Sequence, residues 1–308
     1  MTLQQLEYIV ALFHTRHFAK AAESCGVTQP TLSAMLQKLE SELGVRLFER
    51  SSQQVSATAI GEKVVAQAMK VLSEAQHVRD IVSEEAFTLS GTFRLGVLPT
   101  IAPYLLPRFF PTLCHNYPDL DLRVTELKTA DMKKALQQGV IDAAIMVDFE
   151  ELHAFEQTSL YYEQFLAYVS REDKLFVNRN IKTSDLDHES LWLLDEGHCF
   201  RDQLVKFCNL KAAQTSKTTY TLGSIETFMR IVEGGEGITF IPELALDQLT
   251  SEQKELVRPF ALPIPTRQIV FLTLPSFVRY AVRDLLVSAI QSHVPARMLK
   301  LNNTEQRI

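Results

Sequence analysis

The sequence has 308 residues, a hydrophobic content of 46% and a formal net charge of -6, which suit a globular protein of two or three domains. No apolar run reaches the roughly 18 residues of a membrane span, and Met1–Arg16 lacks the basic start of a signal peptide. We therefore predict a cytoplasmic protein without membrane contact, in which any nucleic-acid contact comes from a localised surface.

The first 44 residues predict three helices. The first carries apolar residues at helical spacing from Leu3 to Phe13, and a short second helix around Phe18–Ala22 ends where Gly26 permits a tight turn. Thr28 and Gln29 offer caps for a third helix, and Pro30 is tolerated in its first turn. Its apolar stripe runs through Leu32, Leu36, Leu39 and Leu43, and it ends at Gly44.

This order of elements is typical of a helix-turn-helix, whose last helix lays its N-terminal side chains in the major groove. Amide and hydroxyl groups there can bond base edges and phosphates, and Ser51–Val55 can form a flanking wing on the DNA backbone. The predicted DNA contacts are Thr28, Gln29, Pro30, Thr31, Ser33, Gln37, Lys38 and Arg50. On spacing alone, a small helical domain with a solvated polar face is the alternative.

The segment from Thr58 to Glu85 predicts one long helix. Its apolar residues are separated by alternating steps of four and three: Ile60, Val64, Ala68, Val71, Ala75, Val78 and Val82. Sustained over more than three heptads, this pattern favours a helix paired with its own copy over a helix lying on its own domain. A dimer would present two recognition helices to a two-fold DNA site.

After Ser90-Gly91, short strands alternate with helices, which indicates an α/β domain with mostly parallel sheets and room for two lobes. The predicted strands are 93–98, 141–147, 165–170, 191–194, 237–241 and 269–274, and predicted helices include 129–138 and 224–234. Ligands of such sheets bind at the carboxyl ends of strands, so Thr100 is a candidate pocket residue.

The four cysteines, Cys25, Cys114, Cys199 and Cys208, are too few and too unevenly spaced for a disulfide scaffold. None belongs to a Cys-x-x-Cys metal pattern, and we predict no metal and no other cofactor. We interpret Cys25 and Cys114 as structural.

The N-terminal segment resembles the LysR family of bacterial transcription regulators. The segments that carry the resemblance are Leu6–Phe13, His17–Ala22, Thr28–Ser33, Leu39-Glu40 and Leu43–Arg50. It implies a winged helix-turn-helix at 1–58, a dimerising linker helix at 59–89 and a sensor of two α/β lobes at 90–308, similar to periplasmic binding proteins. It also implies promoter DNA and RNA polymerase as partners, a homodimer or homotetramer, and no enzymatic activity.

Within that family, Gly197–Gln203 with Phe207-Cys208 resembles the redox segment of peroxide-sensing members. The resemblance implies that Cys199 reacts with hydrogen peroxide and that Cys208 resolves the product to a disulfide. The pocket that it implies consists of Thr100, Thr129, His198, Arg201 and Asp202.

The chemistry sets two requirements for this pair. A thiolate attacks peroxide, so Cys199 needs neighbours that stabilise negative charge, and His198, Arg201 and a helix beginning near Arg201 are the candidates. If residues 199–208 are helical, nine steps of about 1.5 Å put the two Cα atoms roughly 13 Å apart. A disulfide needs about 7 Å, so we expect bond formation to refold this segment.

Three alternatives belong to other classes. The first is a LysR-type regulator that binds a small organic effector between its lobes, with both cysteines incidental. The second is a thiol peroxidase that uses Cys199 with Thr100 and Arg201, and the third is a solute-binding protein of the same two-lobed architecture. The helix-turn-helix argues against the second and leaves the third with an unexplained N-terminal domain.

Overall fold

A computed structural model describes residues 1–50, 55–85, 89–149, 152–186, 191–194, 199–208, 224–235 and 237–308. The chain forms two compact units. The first comprises Met1–Thr88 with Lys134–Ile141 and Phe277–Arg279, and the second comprises Leu89–Lys133, Asp142–Ser276 and Tyr280–Ile308. Across the described ranges, no helix is both long enough and apolar enough to cross a bilayer.

The first unit begins with the three predicted helices, which are confirmed: α1 (Leu3–Thr15), α2 (Phe18–Ser24) and α3 (Gln29–Leu43). The side chain of Thr28 caps α3 by accepting from the Thr31 backbone N–H, and Gly44 ends the helix with φ 69°. This left-handed conformation is one that glycine adopts without steric cost, which explains why the helix stops there.

A two-stranded hairpin follows, made of β1 (Phe48–Arg50) and β2 (Val55–Ala57) in antiparallel pairing. The carboxylate of Glu40 on α3 accepts from the backbone N–H groups of Leu47, at 2.7 Å, and Phe48, at 3.2 Å. The recognition helix thus holds the start of the hairpin directly. Residues 51–54 of the predicted wing lie outside the described residues.

The predicted linker helix is α4 (Ala59–Glu85). Its first half contributes Val65, Ala68 and Met69 to the hydrophobic core of the helix-turn-helix. Its second half exposes Val78, Ile81 and Val82, which are 65%, 55% and 68% accessible. The apolar heptad positions therefore divide into two groups: Ala68 packs in the core of its own domain, whereas Val78 and Val82 are exposed to solvent on this chain.

The second unit is an eight-stranded α/β fold. Its strands are β3 (Gly91–Val97), β4 (Leu120–Glu126), β5 (Ala143–Val147), β6 (Glu156–Val169), β7 (Ile238–Pro242), β8 (Val257–Pro259), β9 (Ile264–Thr273) and β10 (Glu305–Arg307). Its helices are α5 (Ala102–Asn116), α6 (Thr129–Gln137), α7 (Cys199–Phe207), α8 (Ile225–Gly234), α9 (Ser251–Lys254) and α10 (Tyr280–His293). The strand order is β4-β3-β5-β9-β6-β7, with β10 added to β9 and β8 added to β6.

Strand β6 connects two lobes. Its first half pairs with β9, from Glu156 opposite Thr273 to Gln164 opposite Thr266, and its second half pairs with β7 and β8. The chain enters the smaller lobe along β6 and returns along β9. The predicted two-lobed architecture is confirmed.

Three details of the sequence prediction were wrong. The sheets are not mostly parallel, because β6 and β9 run in opposite directions and pair antiparallel with each other and with β5, β7 and β8. The predicted strand at 165–170 is the end of a strand of 14 residues. Residues 191–194 form only an isolated bridge from Leu191 to Ile238, since so short an apolar run does not determine a strand.

Candidate DNA-binding surface and redox site

The candidate DNA-binding surface is the polar face of α3, where the predicted contact residues lie. Leu32, Leu36 and Leu39 are buried against α1 and α2, which turns the opposite face of the helix outward. The predicted contact residues on that face are exposed, except that Ser33 is half-buried: Thr28, Gln29, Pro30, Thr31, Gln37 and Lys38. Arg50 pairs through its backbone with Val55, and its side chain lies outside the described part of the chain.

The two hydroxyls at the start of α3 have a role that sequence reasoning did not assign. Thr28 Oγ1 and Thr31 Oγ1 lie 2.9 Å apart in a mutual hydrogen bond. This bond fixes the orientation of both side chains at the end of the helix that would approach DNA. Both residues are exposed, so their remaining donor and acceptor capacity faces outward.

The candidate redox site lies around the start of α7, where Cys199 is the first described residue of the helix. Cys199 belongs to the smaller lobe, and Thr100 and Thr129 belong to the larger one. Thr100 follows β3 and is buried, and Thr129 is the first residue of α6. The fold thus brings together three of the residues that sequence analysis selected.

The group that joins them is Arg267 on β9, which sequence reasoning missed. Its guanidinium donates to Thr100 Oγ1 at 3.1 Å and to the Thr100 carbonyl at 2.9 Å. It also lies over the ring of Phe200 on α7, with 5.0 Å from Cζ to the ring centroid. Arg267 therefore contacts the residue next to Cys199 and a pocket threonine at the same time.

A buried carboxylate balances the charge of Arg267. Glu163, its register partner on β6, accepts from Arg267 Nη2 at 2.7 Å and from Nε at 2.9 Å. Its other oxygen accepts from the Leu244 backbone N–H at 3.1 Å. With these partners, a charged pair can exist in the interior without unsatisfied groups on either side.

The thiol of Cys199 is subject to opposing influences. Burial raises its pKa, while the positive charge of Arg267 and the hydroxyl of Thr129 lower it. The carboxylate of Asp202 raises the pKa further. Burial is the largest of these influences, so the pKa of the thiol lies above its ordinary value in this conformation.

The cationic side chain that acts on Cys199 differs from the ones predicted from the sequence. Arg201 forms an ion pair with Asp202, with 3.7 Å between Nη1 and Oδ1, and Arg267 supplies the positive charge that acts on the sulfur. Asp202 is close enough to influence Cys199, but in the unfavourable direction. His198 lies outside the described residues.

Cys208 lies at the other end of the same helix. Its backbone N–H donates to the Leu204 carbonyl at 2.9 Å, which extends the helical hydrogen-bond pattern to this residue. Burial raises the pKa of its thiol to about 12. Both cysteines are free, and the helical rise keeps their Cα atoms about 13 Å apart.

Three buried polar atoms have no partner at full hydrogen-bond geometry among the described residues: Thr129 Oγ1, Tyr161 Oη and Gln203 Oε1. The Thr129 hydroxyl is nevertheless close enough to the Cys199 sulfur to lower the pKa of the thiol. Thr129 acts on Cys199, and Gln203 lies four residues after Cys199, on the same face of α7. Buried polar atoms without a well-formed hydrogen bond are rare because they lose their hydration, and the Thr129 hydroxyl is one that lies beside the Cys199 thiol. Within the described ranges, no group of three or more His, Cys, Asp or Glu side chains is placed to hold a metal.

The comparisons with known proteins agree with this architecture. The family described as "Bacterial regulatory helix-turn-helix protein, lysR family" matches residues 3–62, and the one described as "LysR substrate binding domain" matches residues 88–293. The chain therefore belongs to the LysR family of bacterial transcription regulators. It is a DNA-binding regulator and not an enzyme.

Within that family the chain closely resembles OxyR. The "DNA-binding transcriptional dual regulator OxyR" of Escherichia coli K12 is 36% identical over 302 residues, which cover 98% of each chain. A variant of full-length OxyR from Pseudomonas aeruginosa superposes with a TM-score of 0.79 at 35% identity, covering 98% of this chain and 99% of that one. A hydrogen-peroxide-bound OxyR mutant from Corynebacterium glutamicum gives a TM-score of 0.61 at 28% identity, covering 95% and 92%.

Proposed function

We propose that this regulator senses hydrogen peroxide through reversible formation of a disulfide between Cys199 and Cys208, and so controls oxidative-stress genes. The observation that carries the proposal is the placement of Cys199 between Arg267 and Thr129, with a second thiol on the same helix. The C. glutamicum protein described above binds peroxide, and relatives named "Hydrogen peroxide-inducible genes activator" support the same assignment.

In the first step the Cys199 thiol loses its proton, and the thiolate attacks one peroxide oxygen. The O–O bond breaks, the sulfur becomes a sulfenic acid, and hydroxide leaves and takes up a proton to become water. The Arg267 guanidinium favours the thiolate and the leaving hydroxide, because both carry negative charge. The Thr129 hydroxyl acts on the Cys199 sulfur and has no other partner among the described residues, so it is available to bond a peroxide oxygen.

In the second step the Cys208 thiolate attacks the sulfenic sulfur, a disulfide forms and hydroxide leaves. The helical separation of about 13 Å exceeds the roughly 7 Å that a disulfide spans, so α7 must open for this step. The new bond excludes the helical conformation and therefore selects a second arrangement of the segment.

For the pocket we propose Thr100, Thr129 and Asp202, as the sequence suggested, and add Arg267. Thr100 contributes through Arg267, which it holds from the larger lobe by two hydrogen bonds. Roles for His198 and Arg201 remain predictions from resemblance.

For the readout we propose a homodimer or homotetramer joined through α4, whose exposed residues Val78, Ile81 and Val82 form an apolar stripe suited to a helix pair. Opening of α7 would change the relation of the two lobes and thereby the spacing of the recognition helices on promoter DNA. RNA polymerase is the proposed partner there, and the cytoplasm is the proposed location, because bacterial promoters lie in it.

The test is peptide mass spectrometry of the reduced protein after brief exposure to near-stoichiometric peroxide. We expect a rapid disulfide between Cys199 and Cys208 in the natural sequence and none in Cys199→Ser. Cys25 and Cys114 are internal controls that should oxidise more slowly. If Cys199 reacts no faster than these two, the peroxide proposal is wrong, and a small organic effector between the lobes becomes the preferred ligand.

A further inference from the structure

Residues 302–308, which we name the clasp, lie along the start of β9 and contact α7. Strand β10 of the clasp pairs with the start of β9, and the Ile308 backbone N–H donates to the Thr266 carbonyl at 3.1 Å. Three side-chain contacts with the rest of the chain fix it further. Gln164 donates to Glu305 at 2.6 Å, and Arg307 donates to Asp148 at 3.0 Å and to Gln268 at 2.8 Å.

The clasp contacts the redox helix through one hydrogen bond. Gln203 Nε2 on α7 donates to the backbone carbonyl of Ile308 at 2.6 Å. A carbonyl can only accept, so the amide nitrogen of Gln203 must face it. The same bond therefore turns Oε1 of Gln203 to the other side, where it is buried and unpaired among the described residues.

Gln203 occupies the middle of the segment that disulfide formation must refold. It lies four residues after Cys199 and five before Cys208. Bringing the ends of this segment from about 13 Å to within about 7 Å displaces its middle relative to the rest of the lobe. Ile308 is held by strand pairing that takes no part in this change, so the bond from Gln203 to Ile308 must break.

We propose that the clasp holds α7 in its helical, reduced arrangement and sets the rate at which the Cys199 sulfenic acid is converted to the disulfide. This inference rests on the proposed function. The clasp should affect only one of the two chemical steps. The attack of Cys199 on peroxide needs no opening of α7, whereas the attack of Cys208 on the sulfenic sulfur does. Weakening the clasp therefore accelerates the second step and leaves the first unchanged.

Two variants of the 308-residue chain test the clasp without changing a pocket residue. A chain that stops at Arg307 lacks the Ile308 carbonyl, and Glu305→Ala/Arg307→Ala keeps Ile308 but removes the three side-chain contacts. Arg123→Ala is the matched control, because it removes an exposed arginine that pairs with Asp121 on the opposite edge strand β4. Thermal unfolding confirms that each variant is folded before kinetics are measured.

The rate of the first step is measured by dimedone trapping of the sulfenic acid in a Cys208→Ser background. The rate of the second is measured by quenching and thiol alkylation with Cys208 present. We expect both clasp variants to form the disulfide about threefold to tenfold faster, the range that one protein hydrogen bond provides, with an unchanged first step. The Arg123→Ala protein should match the natural sequence in both steps.

Hydrogen exchange of the α7 amides in the reduced protein gives a readout that needs no peroxide. We expect faster exchange in both clasp variants and no change in Arg123→Ala. If both variants form the disulfide at the natural rate, the proposed role of the clasp is wrong, while the proposed peroxide sensing is unaffected. If Cys199 of the natural sequence fails to react with peroxide, the proposed peroxide sensing is wrong. In that case, unchanged hydrogen exchange of α7 in both clasp variants would show that the clasp proposal is wrong as well.

Discussion

Glu163 and Arg267 face each other across β6 and β9 as an ion pair in which each side chain is 1% exposed. Replacing one partner leaves the other charged and desolvated, which costs much more than the pair itself contributes. We predict that Arg267→Met lowers the free energy of unfolding by ~3–5 kcal/mol in urea denaturation of the reduced protein.

Two comparisons make this prediction specific. The double variant Arg267→Met/Glu163→Leu should recover much of the lost stability, because it removes both buried charges. Arg123→Met, which removes an exposed arginine, should leave stability nearly unchanged. A loss for Arg267→Met no larger than that for Arg123→Met would show that the buried pair is not needed.

The pH dependence of Cys199 oxidation follows from its raised pKa. Burial favours the neutral thiol, so at neutral pH only a small fraction of the protein holds the reactive thiolate, and that fraction grows with pH. We predict that the second-order rate constant with peroxide, measured in Cys208→Ser, rises from pH 6 to 9 without levelling at about 8.5, the usual cysteine pKa. A plateau below about pH 7 would instead indicate a thiolate already formed at neutral pH.

We expect the Thr129 hydroxyl to affect the oxidation rate of Cys199 more than the free energy of unfolding. In Thr129→Val the shape is kept and a buried hydroxyl without a well-formed hydrogen bond is removed, so stability should be unchanged or slightly higher. The same change removes a group that stabilises the thiolate, and we expect oxidation of Cys199 to slow about tenfold, which corresponds to ~1.4 kcal/mol. Thr125→Val, on the exposed edge strand β4, is the control and should oxidise at the natural rate.

The start of the linker helix depends on a glycine. A Cβ atom on Gly61 would lie 1.9 Å from the Leu47 carbonyl oxygen, and Thr58 Oγ1 bonds the Gly61 N–H at 2.9 Å. We predict that Gly61→Ala displaces the hairpin from α4, destabilises the DNA-binding domain by ~1–3 kcal/mol and weakens DNA binding. Gly234→Ala, at a position with open space around it, should change neither the thermal unfolding nor the affinity for DNA.

Dimerisation through α4 can be tested at its exposed end. An aspartate at the seam of a helix pair would bury a charge, so Val78→Asp and Val82→Asp should each shift the sedimentation profile toward monomer. Val177→Asp is the control, since Val177 is 84% exposed in the sensor domain and outside the helix. An unchanged profile for both α4 variants would place the dimer contact elsewhere.

The helix-turn-helix could be predicted well because its signals are local. Thr28, Pro30 and Gly44 mark the start and end of α3, and each acts through its own backbone conformation or its nearest turn. Arg267 could not be predicted, because its proximity to Cys199 depends on the register of β9 against β6. No nearby sequence pattern records such a register.

The strands show the same distinction. The first half of β6 was missed because a register shift between Ser159 and Tyr161 breaks the alternation of buried and exposed residues. Strand β4 was also missed, although Leu120, Leu122 and Val124 alternate with polar residues there. The alternation in β4 could therefore be seen in the sequence, whereas the register shift in β6 exists only once the strands are paired.

Strand β6 pairs with β9 in the larger lobe and with β7 and β8 in the smaller lobe, and this pairing determines how the lobes are connected. Within the described residues, the two lobes share only two continuous backbones, β6 going out and β9 coming back. Glu163 and Arg267 lie side by side on these two strands and are the charged groups nearest to each other across them. Arg267, whose charge acts on the Cys199 thiol, therefore lies on one of the two strands that connect the lobes, so a change of charge on the Cys199 sulfur changes the electrostatic environment of that connection.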